Sequence, residues 1–123
     1  MPHHSNPDAI RAEQRRIIAE TMSEAELQAQ VIQYAKAHGW MAVHFRPAKT
    51  EHGYRTAIEG DKGSPDTLLA RERNGVHQVY LWELKTEKGR YSEGQQAWLN
   101  AIGPVIGATY RPSDLERIYQ LLA

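Results

Sequence analysis

Cysteine is absent from the chain, which excludes disulfides and thiolate-held metal and leaves oxygen and imidazole as ligand donors. Any resident ion is therefore expected to be hard, such as Mg²⁺ or Mn²⁺. No apolar run approaches the roughly 18 residues that cross a bilayer. The opening segment MPHHSNPDAIRAEQRR lacks the apolar stretch of a signal peptide, so cytoplasmic residence is the expectation. Net charge is also lacking: 15 Lys and Arg balance 15 Asp and Glu, giving +0. Bulk charge therefore does not advertise nucleic-acid binding. Between Arg46 and Arg90, nine basic residues stand against seven acidic ones. Taken by itself this is a mixed solvated surface, but two acids neutralised by an ion would leave it cationic.

What is present suits a single domain, since 123 residues suffice for one modest core. Residues 1–22 read as an arm or short helix, with Asn6 as cap and Pro7 at the first helical position. Residues 23–123 form the domain proper. SEAE opens a helix through a capping box of Ser23 and Glu26. Leu27, Val31, Tyr34 and His38 then recur at helical spacing, and Gly39 ends it. WMAVHF (40–45) reads as a buried strand, and 46–65 as a long charged loop. Thr67–Arg71 and Val76–Lys85 are strands joined by a turn at Asn74-Gly75. A second box, Ser92 with Gln95, starts a helix whose apolar side carries Trp98, Leu99 and Ile102. VIGATY (105–110) is a short strand, and a third box of Ser113 and Glu116 opens the last helix. Trp82 and Trp98 read most simply as core. The predicted fold is α/β, a small mixed β-sheet flanked by helices.

The charges inside the hairpin carry the chemistry. Alternation along Val76–Lys85 sends Val79, Leu81, Glu83 and Lys85 to one face and Tyr80, Trp82 and Leu84 to the other. An antiparallel hairpin brings the start of one strand beside the end of the other, so Asp66 is expected near Glu83 and Lys85. A salt-bridged cluster at a sheet end would account for them, yet two carboxylates and one ammonium leave a negative charge that is costly when buried. A divalent ion held by Asp66, Glu83 and a main-chain carbonyl at Leu84 would remove that cost. Such an ion activates water and stabilises charge on a phosphodiester, with Lys85 orienting or deprotonating the water or pairing with phosphate.

The order Glu24…Gly63-Ser-Pro-Asp66…Glu83-Leu-Lys85…Gln95 resembles the virus-type replication-repair nuclease (VRR-NUC) family of the PD-(D/E)xK nuclease superfamily. SEAELQ opening a helix, ELKTEKGRYS, GQQAW and YRPSD extend the likeness over residues 23–118. The resemblance implies a restriction-endonuclease-like core, Mg²⁺- or Mn²⁺-dependent cleavage of DNA, often branched as in Holliday junctions, and a homodimer. It carries Asp66, Glu83 and Lys85 to the metal and water, with a helix glutamate as a further ligand. On a helical wheel Glu24 lies beside the Leu27–Val31 face and in line with Gln28, while Glu26 is engaged in the capping box, so Glu24 is the better candidate. Gln95 matches the family's glutamine but equally serves as a capping-box residue.

His44 alternates in phase with Arg46 on the first strand, and both are candidates for bordering the site. The long loop carries Lys49, Arg55 and Lys62 with Tyr54 between them, a pattern suited to phosphate contact and base stacking, or simply to solvent. Lys88 and Arg90 follow the charged strand as candidate backbone contacts. Two other functions fit these residues: a non-catalytic DNA-binding or assembly module, and a nuclease of other nucleic-acid structures.

Overall fold

A computed structural model describes residues 6–45, 48–50, 53–55 and 60–123, with the two short segments given by backbone alone. Helix α1 (Pro7–Thr21) starts at Asn6, whose side-chain oxygen accepts from the N–H groups of Asp8 and Ala9. Helix α2 (Glu24–Ala37) carries the Ser23–Glu26 capping box in both directions. Strand β1 (Met41–His44) follows, then a small hairpin of β2 (Ala48–Thr50) and β3 (Gly53–Arg55). The stretch read as an unbroken loop thus contains paired backbone. Strands β4 (Thr67–Arg73) and β5 (Val76–Leu84) lead to helix α3 (Glu93–Ile102), strand β6 (Gly107–Tyr110), a 3₁₀ turn (Pro112–Asp114) and helix α4 (Leu115–Leu122).

The four-stranded sheet has the order β1-β4-β5-β6, with β1, β4 and β5 antiparallel and β6 parallel to β5. This is the expected α/β class: a small mixed sheet with helices packed on it. Asn74 and Gly75 both have positive φ, 53° and 79°, as the tightest hairpin turn requires. That turn sets the register Arg73↔Val76 through Thr67↔Trp82.

Helices α2 and α4 cover one sheet face, where Leu27, Val31, Ala35, Ile118 and Leu122 meet Trp40, Leu69, Trp82 and Leu84. An aromatic row, Trp40–Tyr80–Trp82–Tyr110, runs across this face with ring centroids 5.3, 4.9 and 4.7 Å apart. Arg71 lies inside the core layer and stacks on Trp40 at 4.3 Å. Its guanidinium donates to Gln78 and to the carbonyls of His38, Leu122 and Ala123. One cation thereby satisfies carbonyls at the ends of two helices, where the backbone dipoles leave partial negative charge.

Three sequence expectations need correction. WMAVHF is not buried throughout. Side chains alternate along it, so Trp40 packs inward beneath α2 and α4 while Met41, Val43 and Phe45 are exposed on the far face. The last helix does not open with Ser113 and Glu116. Asp114 accepts from the Arg111 N–H, and the Ser113 N–H turns away to Glu87. Trp98 is only partly buried, and its indole N–H donates to the Asp61 carbonyl. Among the described residues, no helix is long and apolar enough to cross a membrane.

Removing the Arg71 guanidinium takes away its bonds to Gln78 and to the helix-end carbonyls and its stacking on Trp40, and leaves those carbonyls only the Trp40 indole and Arg73 as donors. Arg71→Met is expected to lower stability by about 2–4 kcal/mol, read as a shifted urea midpoint at unchanged slope. An unchanged midpoint would mean that the two helix ends are satisfied without it.

Candidate active site

The hairpin register brings Asp66, the residue before β4, beside Glu83 near the end of β5. Asp66 is fixed by three bonds. Its carbonyl accepts from the Phe45 N–H at 2.8 Å. Its Oδ1 accepts from the Thr67 hydroxyl at 2.9 Å and the Leu84 N–H at 3.3 Å. Leu84, expected to offer a carbonyl, is thus also tied to Asp66 through its amide. Glu24 arrives from the first turn of α2. With Glu26 held by the Ser23 N–H, Glu24 joins the other two carboxylates, and ligand oxygens of Glu24, Asp66 and Glu83 lie within 4.8 Å of one another. These three side chains are close enough together to hold a metal ion.

Lys85 follows the predicted face alternation, its Nζ standing 3.8 Å from Glu83 Oε1. Gln95 caps its helix and also contacts Glu83. Its Oε1 accepts from the Ser92 N–H at 2.9 Å, completing the capping box, while its Nε2 donates to Glu83 Oε1 at 3.0 Å. One side chain therefore ties the start of α3 to the charged end of β5.

The electrostatics follow from burial. Glu83 is only 4% exposed, and that burial, reinforced by Asp66 and opposed by Lys85, pushes its carboxyl up to about 7. Burial and then Asp66 raise Glu24. Burial also raises Asp66, against the pull of the Thr67 hydroxyl bond. Three carboxylates facing one ammonium cannot all ionise cheaply. An all-oxygen donor set of this charge fits a hard divalent cation, which would relieve the same strain.

Comparison of the chain with family models, curated proteins and solved structures gives no match. The chemical reading therefore stands on the geometry. The arrangement combines three carboxylates close enough to hold a metal ion, an ammonium group and an amide at one carboxylate, all at one sheet end.

The candidate DNA contacts are distributed unevenly. Lys62, Lys88 and Arg90 are exposed. Lys49 and Arg55 lie on β2 and β3, opposite Tyr54 and Ala48. Arg46 lies outside the described residues. Of the histidines, His38 stacks on Tyr34 at the end of α2, and His44 reaches the site, its Nδ1 3.9 Å from Asp66 Oδ1.

Sequence reasoning missed Thr67, Tyr91 and Arg111. Thr67 is fully buried at the start of β4; its position next to Asp66 was the available signal. Arg111 donates to the carbonyls of Thr86 and Glu87 and anchors the segment after β5. The Tyr91 ring lies within 6.0 Å of both its guanidinium and the Lys85 ammonium. Gly63 matters for a reason the sequence did not reveal. With φ +95°, it packs against the start of α3, where an added Cβ would lie 2.6 Å from the Gly94 carbonyl carbon. Backbone contact therefore joins the loop carrying Asp66 to the helix carrying Gln95.

Two outcomes follow. Gly63→Ala is expected to cost about 1–3 kcal/mol and to weaken Mn²⁺ binding measured by calorimetry. Native affinity and stability in that variant would show the close approach to be dispensable. The second concerns pH. Folded Glu83 keeps its proton to about pH 7, whereas the unfolded side chain releases it near 4.5. This group's stabilising contribution is complete below the unfolded value and is lost as pH rises through about 7. Metal-free protein should therefore melt lower at pH 8 than at pH 5, Glu83→Gln should flatten that difference, and Mn²⁺ should restore the melting point at pH 8. A rising melting point over the same interval would contradict the assignment.

Proposed function

We propose that the protein is a divalent-metal-dependent endonuclease that hydrolyses DNA phosphodiester bonds, selective for branched DNA, in the manner of the VRR-NUC nucleases its sequence resembles. The observation that carries this reading is the convergence of Glu24, Asp66 and Glu83 with Lys85 3.8 Å from Glu83. Like charges held this close serve a cation, and a cation beside a lysine suits attack on phosphorus better than simple structural cohesion.

Glu24, Asp66 and Glu83 would hold Mg²⁺ or Mn²⁺, with the Leu84 carbonyl as a further ligand. When bound, the ion supplies charge stabilisation and lowers the pKa of water. Thr67 and the Leu84 N–H orient Asp66, and Gln95 orients Glu83. Lys85 aligns the attacking water or meets the phosphate charge. Lys62, Lys88 and Arg90, with Arg46, Lys49 and Arg55, would contact the DNA backbone.

A homodimer fits this reading, because two active sites on opposing strands suit a symmetric junction. Met41, Val43, Phe45, Leu68 and Val79 support it as an exposed apolar face of the sheet, larger than the isolated apolar residues usual on a monomer. Wild type is expected to scatter light as a dimer at micromolar concentration and Met41→Asp with Val79→Asp as a monomer. A monomeric wild type would remove the dimer from the proposal.

Cleavage of a labelled four-way junction, a flap and a plain duplex, in Mn²⁺, Mg²⁺ or EDTA, tests the activity. Branched substrates should be cut only with metal, and Lys85→Ala should lower the rate by at least about 100-fold. Cutting that survives EDTA or Lys85→Ala would refute the mechanism. Tight junction binding without cleavage in any metal would identify a binding module instead.

A further inference from the structure

Beside the carboxylate cluster, α2 and β1 border an open pocket of about 240 Å³, lined by Gln28, Ala29, Ile32, Gln33 and His44. Gln28 is only 6% exposed and contributes to this lining a side chain with both a donor and an acceptor. Gln28 is one helical turn from Glu24 on the same side of α2, about 5–6 Å away between Cβ atoms. His44 joins the pocket to the cluster. Its Nδ1 edge faces Thr67 at 3.5 Å and Asp66 at 3.9 Å, which leaves the opposite ring nitrogen for the pocket.

The lining decides what kind of group belongs there. Among the described residues that line it, none is a Lys or Arg. Two primary amides, each with donor and acceptor, match the mixed edge of a nucleobase. Ala29 and Ile32 offer apolar surface for a ring, and the imidazole of His44 offers an aromatic one. A base separated from its scissile phosphate by one sugar would span about one helical turn along α2.

We propose that this pocket is a nucleobase subsite, which receives an unstacked base of the cut strand next to the scissile phosphate. The inference rests on the nuclease reading and deepens it. It makes unpaired or easily unstacked nucleotides at branch points the selected feature, because extrusion from intact duplex costs a few kcal/mol.

The test is equilibrium binding of junction and flap DNA in Ca²⁺, with the fluorescent base 2-aminopurine placed at successive positions of one strand. With wild type, fluorescence should rise at one position as that base leaves the stack. An abasic residue there should weaken binding about tenfold. In Gln28→Leu the rise should disappear and the abasic penalty fall below about twofold. Gln33→Ala, at an exposed position, should reduce both and keeps the comparison valid if Gln28→Leu melts early. No responsive position, or an undiminished response in both variants, would overturn the subsite. Cleavage of the same DNA in Mn²⁺ is scored separately. Cutting without base contrast removes the subsite alone, base contrast without cutting removes the nuclease reading alone, and absence of DNA binding removes both.

Discussion

Register in the β4–β5 hairpin is the constraint on which the other features depend. Because side chains alternate with period two, a slip of one residue would send Glu83 and Lys85 into the apolar layer and Trp82 and Leu84 to the other face. The Asn74-Gly75 turn, with both residues at positive φ, pins that register from one end. Seven residue pairs away, Thr67 meets Trp82 and the charged groups come together. Core packing reinforces the same choice, since Leu69, Trp82 and Leu84 are buried only in this phase.

Placed there, the charges oppose burial, and the surrounding structure is organised around that cost. Asp66 receives a hydroxyl and an amide, Glu83 receives the Gln95 amide and the Lys85 ammonium, and the neighbouring backbone is held by close glycine contact and by Arg111. Across the β5–β6 ladder, Thr109 faces Glu83 with its hydroxyl buried and unpartnered among the described residues. These contacts hold the charged groups in one fixed arrangement, which the proposed phosphodiester chemistry would draw upon.

Much of this was legible in the residues. Alternation and the Asn-Gly turn sufficed to bring Asp66, Glu83 and Lys85 together, and the capping box at Ser23 separated Glu24 from Glu26 because one carboxylate cannot do both jobs. Local rules were less successful where a neighbour decided the outcome. The exposure of Met41, Val43 and Phe45 depends on which sheet face the helices cover, since Leu68 and Val79 on the interior strands are exposed as well. Ser113 lies inside the 3₁₀ turn rather than before the helix, and its N–H donates to Glu87, 26 residues earlier.

The sequence by itself determined the hairpin, the starts of the first three helices and the convergence of Asp66, Glu83 and Lys85, because periodicity, turns and caps are interactions between near neighbours in the chain. Glu24 entered only through the family resemblance. Tertiary structure alone decided that Gln95 reaches Glu83 while still capping its helix, that Gly63 must lie against Gly94, that Arg71 joins the ends of two helices, and that Gln28 faces a pocket beside His44. Each of these depends on the distance and orientation between separate elements. That information enters only when packing fixes one arrangement in space.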